Sequence, residues 1–340
     1  MLGTLRTRRR DTTSLARLSH VTNTLALLAC CAAGGVVQAA EPAYPVRSIR
    51  LLVPTATGGG TDTLARMIAP KLGNAMGQTW VVDNRSGAGG NLGAEIVARA
   101  NPDGHTVLIA FNFLLTANPS LYRLPFNVEK DLQPVTMLGT SEQILVVLPN
   151  VPAKTLKEFV ALAKQKPGAL NYGSAGVGTG QHLGIELQNK RAGIDLVHVA
   201  YKGGAAATAA MLGGEIQVMV GSPTLAISHI TAGRLRALAT TGPRRSKVTP
   251  ELPTIAESGY PGFDANSWFA LLVPGATPES IAERIRNEAL KALQHADVRT
   301  AMERLAIDPQ TSTPAELAAR IKTETAVWAG VIKDLGIRAE

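Results

Sequence analysis

The sequence predicts an α/β protein with parallel or mixed sheets and helices on both faces. Short apolar runs typical of strands alternate along the chain with stretches of helical periodicity. Such alternation favours sheets whose strands are connected by helices. About 300 of the 340 residues follow an N-terminal leader. A chain of that length is too long for one typical core and suits two α/β domains.

Residues 1–39 have the composition of an export signal. Five arginines precede a largely apolar run, and Val37-Gln38-Ala39 supplies small residues where cleavage requires them. Polar residues and glycines dilute the run, so we expect a removed signal peptide and a periplasmic protein rather than a membrane anchor. The arginine triplet leaves Sec or twin-arginine export open, and a lipoprotein that begins at Cys30 is the minority alternative.

The leader also accounts for the cysteines and for much of the positive charge. Cys30 and Cys31 are the only cysteines, so the mature chain has no disulfide, thiolate nucleophile or cysteine metal site. Without residues 1–39 the formal net charge falls from +8 to +4, because that segment holds five Arg and one Asp. Aromatic residues make up only 4% of the chain. A basic, aromatic-lined nucleic-acid surface is therefore excluded.

The predicted elements alternate after the leader. The strands are expected at 49–53, 80–83, 106–110, 144–148, 170–172, 196–199, 216–220, 235–239 and 268–273. The helices are expected at 63–76, 91–100, 155–165, 181–190, 205–213, 224–232, 278–295 and 314–334. In a sheet built this way, ligands bind beyond the carboxyl ends of the strands.

The turn after the first strand is rich in glycine. Pro54 closes the strand, Gly58-Gly59-Gly60 follow, and Thr61 is a plausible N-cap with Asp62 in the first helical turn. Unpaired N–H groups at the positive end of a helix dipole favour a carboxylate or phosphate. A tight connection without a ligand is an equally good interpretation of this loop when it is considered alone.

Similar loops recur at 84–93, 172–183 and 201–205. Four glycine-rich turns between strand and helix are explained more economically by one polar ligand bound by backbone amides than by four unrelated tight connections. None of them carries a complete dinucleotide fingerprint or a P-loop ending. The repetition therefore favours an anion-binding site without a nucleotide.

Catalytic and metal-binding patterns are scarce. There is no Gly-x-Ser-x-Gly elbow and no His-x-x-x-His spacing. We expect His182 and His198 to pack and to form hydrogen bonds, and we expect Asp62 to cap its helix or contact ligand rather than act as a general base. The sequence thus predicts no catalytic residue, no metal site and no cofactor.

Several segments together resemble a known family. Residues 54–66 resemble the Gly-Gly-x-x-Asp-x-x-Ala-Arg motif of the Bug family, the extracytoplasmic solute receptors of tripartite tricarboxylate transporters. The resemblance continues, over nearly all of the mature chain, at 82–93, 102–106, 118–122, 172–183, 198–203 and 252–269.

The resemblance implies a type II periplasmic-binding-protein fold, in which two lobes close on a small carboxylate. Lobe one would comprise 42–142 plus 268–340, and lobe two 143–267. The ligand carboxylates would be bound by backbone N–H groups, hydroxyls and ordered waters of two opposing loops. The ligand-binding residues that we expect are Thr57, Gly58, Gly59, Thr61, Asp62, Phe113, Gly176, Gly178, Thr179 and Ser222.

The stretch 111–116 departs from the family pattern: many members carry a polar Thr-His pair before Asn118-Pro119, whereas this chain has Phe111-Asn112-Phe113-Leu114-Leu115-Thr116 there. If these rings line the cleft, the ligand is expected to be less polar, for example an aromatic or alkyl acid. Packing beneath the loop is the equally weighted alternative.

The leading hypothesis is a monomeric periplasmic receptor that delivers an organic acid to the permease subunits of a membrane transporter. Two alternatives stay open at this point. One is an exported α/β enzyme that uses Asp62 or His182 as a base, and the other is a ligand sensor for a membrane kinase.

Replacing Gly59 with valine should abolish carboxylate binding and leave most of the fold intact, because a bulky β-branched side chain would block approach to the backbone N–H groups. Isothermal titration and circular dichroism of the variant test this prediction. A Gly59→Val protein that binds normally would show that the loop is only a connection.

Overall fold

The computed structural model describes Gly3 and residues 44–338. The predicted signal peptide and the Cys30 alternative lie outside the described residues, apart from Gly3. Within the described part of the chain, no helix combines the length and the apolar character that crossing a membrane requires.

The first sheet is mixed. Its strands are β1 (Ile49–Val53), β2 (Trp80–Asn84), β3 (Thr106–Phe111), β4 (Leu132–Ser141), β10 (Ser267–Pro274) and β11 (Asp308–Pro309). They lie in the order β11-β4-β10-β3-β1-β2. Strands β2 and β3 flank β1 in parallel, whereas β10 runs antiparallel to both β3 and β4.

The second sheet is also mixed. Its strands are β5 (Ile144–Val147), β6 (Asn171–Ser174), β7 (Val197–Ala200), β8 (Val218–Gly221) and β9 (Arg236–Thr240), in the order β7-β6-β8-β5-β9. Strand β6 is parallel to β7 and β8, so the carboxyl ends of these three strands meet at one edge of the sheet. Strand β5 is antiparallel to both of its neighbours.

Helices connect most of these strands. They are α1 (Gly60–Met76), α2 (Asn91–Ala98), α3 (Asn112–Thr116), α4 (Asn118–Leu121), α5 (Val128–Asp131), α6 (Leu156–Gln165), α7 (Gly180–Ala192), α8 (Gly204–Leu212), α9 (Pro223–Thr231), α10 (Glu279–Ala292), α11 (Ala296–Arg304) and α12 (Pro314–Leu335). Every predicted strand and helix overlaps an observed one.

The strands β4 and β11 and the helices α3, α4, α5 and α11 were absent from the sequence-based prediction. Pro134 and Gly139 lie within β4 and interrupt the apolar pattern of that strand. Strand β4 is nonetheless paired along most of its length with β10, with two register shifts that accommodate the irregular residues. Tertiary pairing therefore overrides a weak local signal.

Each sheet is buried on both faces. In the first sheet Leu51 and Val53 pack with α1, α10 and α11, whereas Leu52 on the opposite face packs with α2, α3 and α12. In the second sheet Leu145 and Ile144 likewise face different clusters. Double-sided burial explains why β1, β3, β5, β8 and β10 are nearly continuous apolar runs instead of alternating patterns.

Helix α12 contacts both sheets. Its first half buries Leu317 and Ile321 in the cluster beneath the first sheet, and its second half buries Trp328 and Ile332 in the cluster of the second sheet. A capping box at Thr313 and Glu316 fixes its start. Besides this helix, the chain passes between the sheets after β4 and again before β10.

Gly275, directly after β10, should not tolerate alanine. A Cβ at this position would lie 2.1 Å from the carbonyl oxygen of Lys130, a backbone atom that cannot move aside cheaply. We expect Gly275→Ala to lower the free energy of unfolding by about 1–3 kcal/mol, as overpacking does. Urea denaturation measures this change.

Gly330→Ala is the matched control, because nothing lies within 4 Å of its Cβ position in α12. The same methyl group should there raise stability by up to about 1 kcal/mol through helix propensity. Equal unfolding midpoints for Gly275→Ala and the wild type would contradict the predicted clash.

Candidate functional site

The candidate site is built from two loops that each lead from a buried strand into a helix. The β1–α1 loop comprises residues 54–59, and the β6–α7 loop comprises residues 175–179. Thr57, Gly58 and Gly59 are exposed, and Gly176 and Thr179 are half-buried. Each loop presents the start of a helix, where the first N–H groups have no intrahelical acceptor and the helix dipole is positive.

The start of α1 differs from the prediction. The helix begins at Gly60, and Gly59, with an extended backbone, is the N-cap. Thr61 was predicted as the N-cap, but it lies inside the first turn and its side chain is buried. Asp62 is in the first turn, as predicted. Gly58, in the left-handed region at φ +87°, provides the turn that lets the helix start earlier.

Asp62 braces the β1–α1 loop from within. Its Oδ2 accepts a 2.8 Å hydrogen bond from the Gly58 amide, and its Oδ1 accepts bonds of 3.0 Å from Arg66 Nε and 2.9 Å from Asn84 Nδ2. Asn84 also donates to the Thr55 carbonyl at 3.1 Å and accepts from Arg66 Nη2 at 3.0 Å. One carboxylate thus joins the loop, the helix and the end of β2.

Burial by itself raises the pKa of Asp62, whose residue is only 2% exposed, but hydrogen bonds from Arg66, the Gly58 amide and Asn84 outweigh burial and lower the pKa. The ionised carboxylate is therefore engaged by three donor groups of the protein. This arrangement fits a structural acceptor better than a general base or a direct ligand contact.

The β6–α7 loop is braced by several side chains. Thr179 is the N-cap of α7, and its hydroxyl also donates to the Gly176 carbonyl at 2.7 Å. Gln181 Oε1 accepts from the Ala175 amide at 2.8 Å, and Ser174 Oγ accepts from the Gly176 amide at 3.1 Å. The Gly178 amide donates to His182 Nδ1 at 3.1 Å. Several amides of this loop are thus already paired with the protein.

A column of rings lies beneath this loop. The imidazoles of His182 and His198 stack with centroids 4.0 Å apart, and Tyr172 stacks on His198 at 4.8 Å. Ser174 Oγ lies 2.7 Å from His198 Nε2, and the Tyr172 hydroxyl donates to Glu186 at 2.5 Å. Burial and the neighbouring His198 lower the pKa of His182 to about 3. The two histidines thus have the packing and hydrogen-bonding roles that the sequence predicted.

Phe113 is almost fully buried, with 2% exposure. Its ring packs on Trp328 at a centroid distance of 5.2 Å and so closely on Gly180 that a Cβ there would lie 2.4 Å from the ring. Leu121 approaches Gly178 in the same way, at 2.6 Å. Helices α3 and α4, which follow β3 of the first sheet, therefore pack against the β6–α7 loop and the start of α7.

Phe111 is half-buried and packs against three core clusters. It lies opposite Phe269 in the strand register, and the Phe269 ring lies 3.8 Å from the Cβ position of Gly60. These contacts favour packing beneath the loops over an aromatic cleft wall. Phe113 as a ligand contact stays a prediction.

Ser222 is the half-buried N-cap residue of α9, directly after β8. Its hydroxyl lies 3.0 Å from that of Thr224. Because β6, β7 and β8 are parallel, Ser222 follows its strand at the same sheet edge as Gly176 and Tyr201. The Gly203 amide donates to the Ala175 carbonyl at 3.3 Å and ties the β7–α8 turn to this edge.

Sequence reasoning missed the residues that hold these loops. Arg66, Asn84 and Gln181 lie within the family-like segments but were not predicted as site residues. Asn84 donates to the Thr55 carbonyl, Gln181 accepts from the Ala175 amide, and Arg66 donates to the Asp62 carboxylate. The spacing of Asp62 and Arg66, four residues apart in a helix, was a usable signal. Nothing in the local sequence links Asn84 to Asp62, because β2 brings them together.

A separate cleft of about 1290 Å³ lies beside β4, the 243–248 loop and α12. Its walls include none of the residues of the two glycine-rich loops. Among its charged side chains, Lys247 pairs with Asp308 at 2.7 Å and Arg320 pairs with Glu324 at 2.7 Å. In residues 44–338, no group of three or more His, Cys, Asp or Glu side chains is placed to hold a metal ion.

The fold and the two braced helix starts define a class: two-lobed α/β binding proteins. The family model for the tripartite tricarboxylate transporter family receptor, TctC, matches residues 64–337. The chain belongs to this family. Protein BugT of Bordetella pertussis is 34% identical over 90% of this chain and 94% of its own length, which confirms the resemblance to Bug receptors.

Three similar solved structures support this family and the predicted fold. A periplasmic transporter is 37% identical with a TM-score of 0.77, and the alignment covers 87% of this chain and 99% of that one. An R. palustris protein with adipate is 31% identical over 87% and 99% of the two chains, with a TM-score of 0.78. MatC from Rhodopseudomonas palustris, with bound malate, is 32% identical over 85% and 100%, with a TM-score of 0.75. The predicted fold class is confirmed, and the family comprises binding proteins rather than enzymes.

The low pKa of His182 should make the fold less stable in mild acid. The unfolded chain protonates this imidazole near 6.5, whereas the folded chain protonates it only near 3. Between these values the unfolded state binds more protons, so stability falls as the pH falls. From pH 7 to pH 5 we expect His182 alone to cost about 2 kcal/mol.

Urea unfolding of the wild type and of His182→Asn at both pH values isolates this contribution. The asparagine variant lacks the titrating ring, so its loss on acidification should be smaller by about that amount. The same loss in both proteins would contradict the lowered pKa.

Proposed function

We propose that this chain is a periplasmic receptor that binds a small organic carboxylate between the β1–α1 and β6–α7 loops and delivers it to the membrane subunits of a tripartite tricarboxylate transporter. The observation that carries the proposal is the pair of glycine-rich helix starts, one at the edge of each sheet. Both offer backbone donors and a positive dipole end to an anion.

In the β1–α1 loop the donors would be the amides at the start of α1. Gly58 already donates to Asp62, and Thr63 donates back to the Gly59 carbonyl at 2.9 Å, so the amides of 59–62 are left for a ligand or for water. Gly59 has ordinary φ, and a Cβ there would lie 3.6 Å from the nearest atom. The backbone would therefore accept a side chain without strain, which makes substitution at Gly59 a test of ligand approach rather than of folding.

In the β6–α7 loop, Thr179 and the first amides of α7 would face the other end of the ligand. Charge on the ligand is then neutralised by dipoles and waters instead of by an ion pair. Such a site accommodates acids of different length by rearranging water. The acids bound by two relatives, adipate and malate, differ in chain length.

The lobes that close on the ligand would be 42–142 plus 268–340 and 143–267. The strands of the first sheet lie within the first set, except that β10 starts one residue earlier, at Ser267. The strands of the second sheet lie within 143–267. Closure would then bend the chain near residues 142–143 and 266–267, and it would change the contacts that the second half of α12 makes with the cluster of the second sheet.

Delivery to permease subunits is supported by the family description, which names a transporter receptor. Export of the mature chain to the periplasm is supported by the leader and by the solved periplasmic relatives.

Isothermal titration of the wild type against mono-, di- and tricarboxylates and aromatic acids should reveal at least one acid that binds with one-to-one stoichiometry. The corresponding neutral diamide should not bind, because it lacks the charge that the helix dipoles stabilise. Gly330→Ala should bind like the wild type, since Gly330 is exposed and nothing lies within 4 Å of its Cβ position. The acid should be recovered chemically unchanged after long incubation.

Absence of heat with every acid, for a sample that is folded by circular dichroism, would refute carboxylate binding. Equal affinity for acid and diamide would refute the anion-binding role of the helix starts.

A further inference from the structure

The β1–α1 and β6–α7 loops share a construction that their sequences do not make obvious. Each contains a glycine in the left-handed region, Gly58 at φ +87° and Gly178 at φ +78°. In each, the next residue is an N-cap with extended backbone: Gly59 at φ −75°, ψ 167° and Thr179 at φ −70°, ψ 158°. A glycine then starts each helix.

In both loops the side chain of the third helical residue accepts a hydrogen bond from the amide of the left-handed glycine. Asp62 accepts the Gly58 amide at 2.8 Å, and His182 accepts the Gly178 amide at 3.1 Å, each across four residues. Both side chains are buried, at 2% and 5% exposure. A carboxylate and an imidazole thus do the same work at equivalent positions.

We propose that Asp62 and His182 are equivalent positioning residues, which hold the two glycine loops in the shape that leaves the following helix amides for the ligand. This inference rests on the proposed function. A glycine in the left-handed region can also adopt many other conformations. Without the Asp62 or His182 side chain as acceptor, the loop would therefore become ordered only when the ligand binds. The ordering cost would then reduce affinity.

The shared requirement is an acceptor, because a backbone amide can only donate. Nδ1 of His182 must therefore carry a lone pair, and the neutral ring holds its proton on Nε2. The groups that face this ring, His198, Tyr172 and the Gly178 amide, add no carboxylate directly against it.

The two loops differ in charge. Asp62 is an anion that is balanced by Arg66, whereas His182 is neutral and needs no counter-ion. An acidic residue near a helix start is also explained by the dipole, but a neutral imidazole gains little from that dipole and a protonated one would be repelled. The role as acceptor explains both residues, and the dipole explains only one.

The test compares substitutions that keep or remove an acceptor at the δ position. In His182→Asn, the asparagine Oδ1 is bonded to Cγ, as Nδ1 is in histidine, so an acceptor is kept. In His182→Leu no acceptor remains. Both substitutions remove the stacked ring. We expect His182→Leu to weaken binding of the best acid from the titration panel about tenfold or more, and His182→Asn to stay within about threefold of the wild type. Asp62→Leu and Asp62→Asn should differ in the same direction.

Amide hydrogen exchange by NMR gives a readout that needs no ligand. In the wild type the Gly58 and Gly178 amides should exchange more slowly than that of exposed Gly59, and Gly178 should lose protection in His182→Leu but retain it in His182→Asn. Both variants lose the stacked ring, so the effect of that loss cancels when the two are compared with each other.

Equal affinity of the asparagine and leucine variants, or Gly178 exchange that is the same in the wild type and His182→Leu, would overturn the proposal. If the wild type binds no acid, the proposed function fails by itself. The exchange data still decide whether the two residues hold the loops.

Discussion

A loop that binds an anion through its backbone must turn sharply, remain open and still keep one shape. Glycine meets the first two demands and works against the third, because it has the largest conformational freedom of any residue. The protein resolves this conflict with acceptors buried in the first helical turn, Asp62 in one loop and His182 in the other. The exposed part of each loop can then consist of small residues, while its geometry is determined by side chains below it.

Those acceptors are themselves held by more distant elements. Asp62 is held by hydrogen bonds from Arg66, one turn along α1, and from Asn84 at the end of β2. The pairing of β1 with β2 places Asn84 next to the loop. His182 is held by its stack on His198 of β7. In both lobes a parallel neighbouring strand therefore supports the loop, which is consistent with the concentration of glycine-rich turns at the carboxyl ends of parallel strands.

Helix α12 and the short helices α3 and α4 connect this site to the remainder of the fold. Phe113 and Leu121 pack on Gly180 and Gly178, where a Cβ would lie 2.4 and 2.6 Å from their side chains. Trp328 lies behind Phe113 and belongs to the part of α12 that packs on the second sheet. The β6–α7 loop is thus packed from the side of the first sheet, and motion between the lobes would change those contacts.

The sequence by itself determined the α/β alternation, the main helices and strands, the glycine loops and the family, because these depend on local periodicity and on motifs of contiguous residues. It could not place β4, since Pro134 and Gly139 hide a strand that exists through pairing with β10. It misplaced the N-cap at Thr61, since the glycines before it have no strong preference of their own. The partners that are distant in sequence, Asn84 for Asp62 and His198 for His182, were decided only by the tertiary structure, because sheet pairings that no local pattern encodes bring them together.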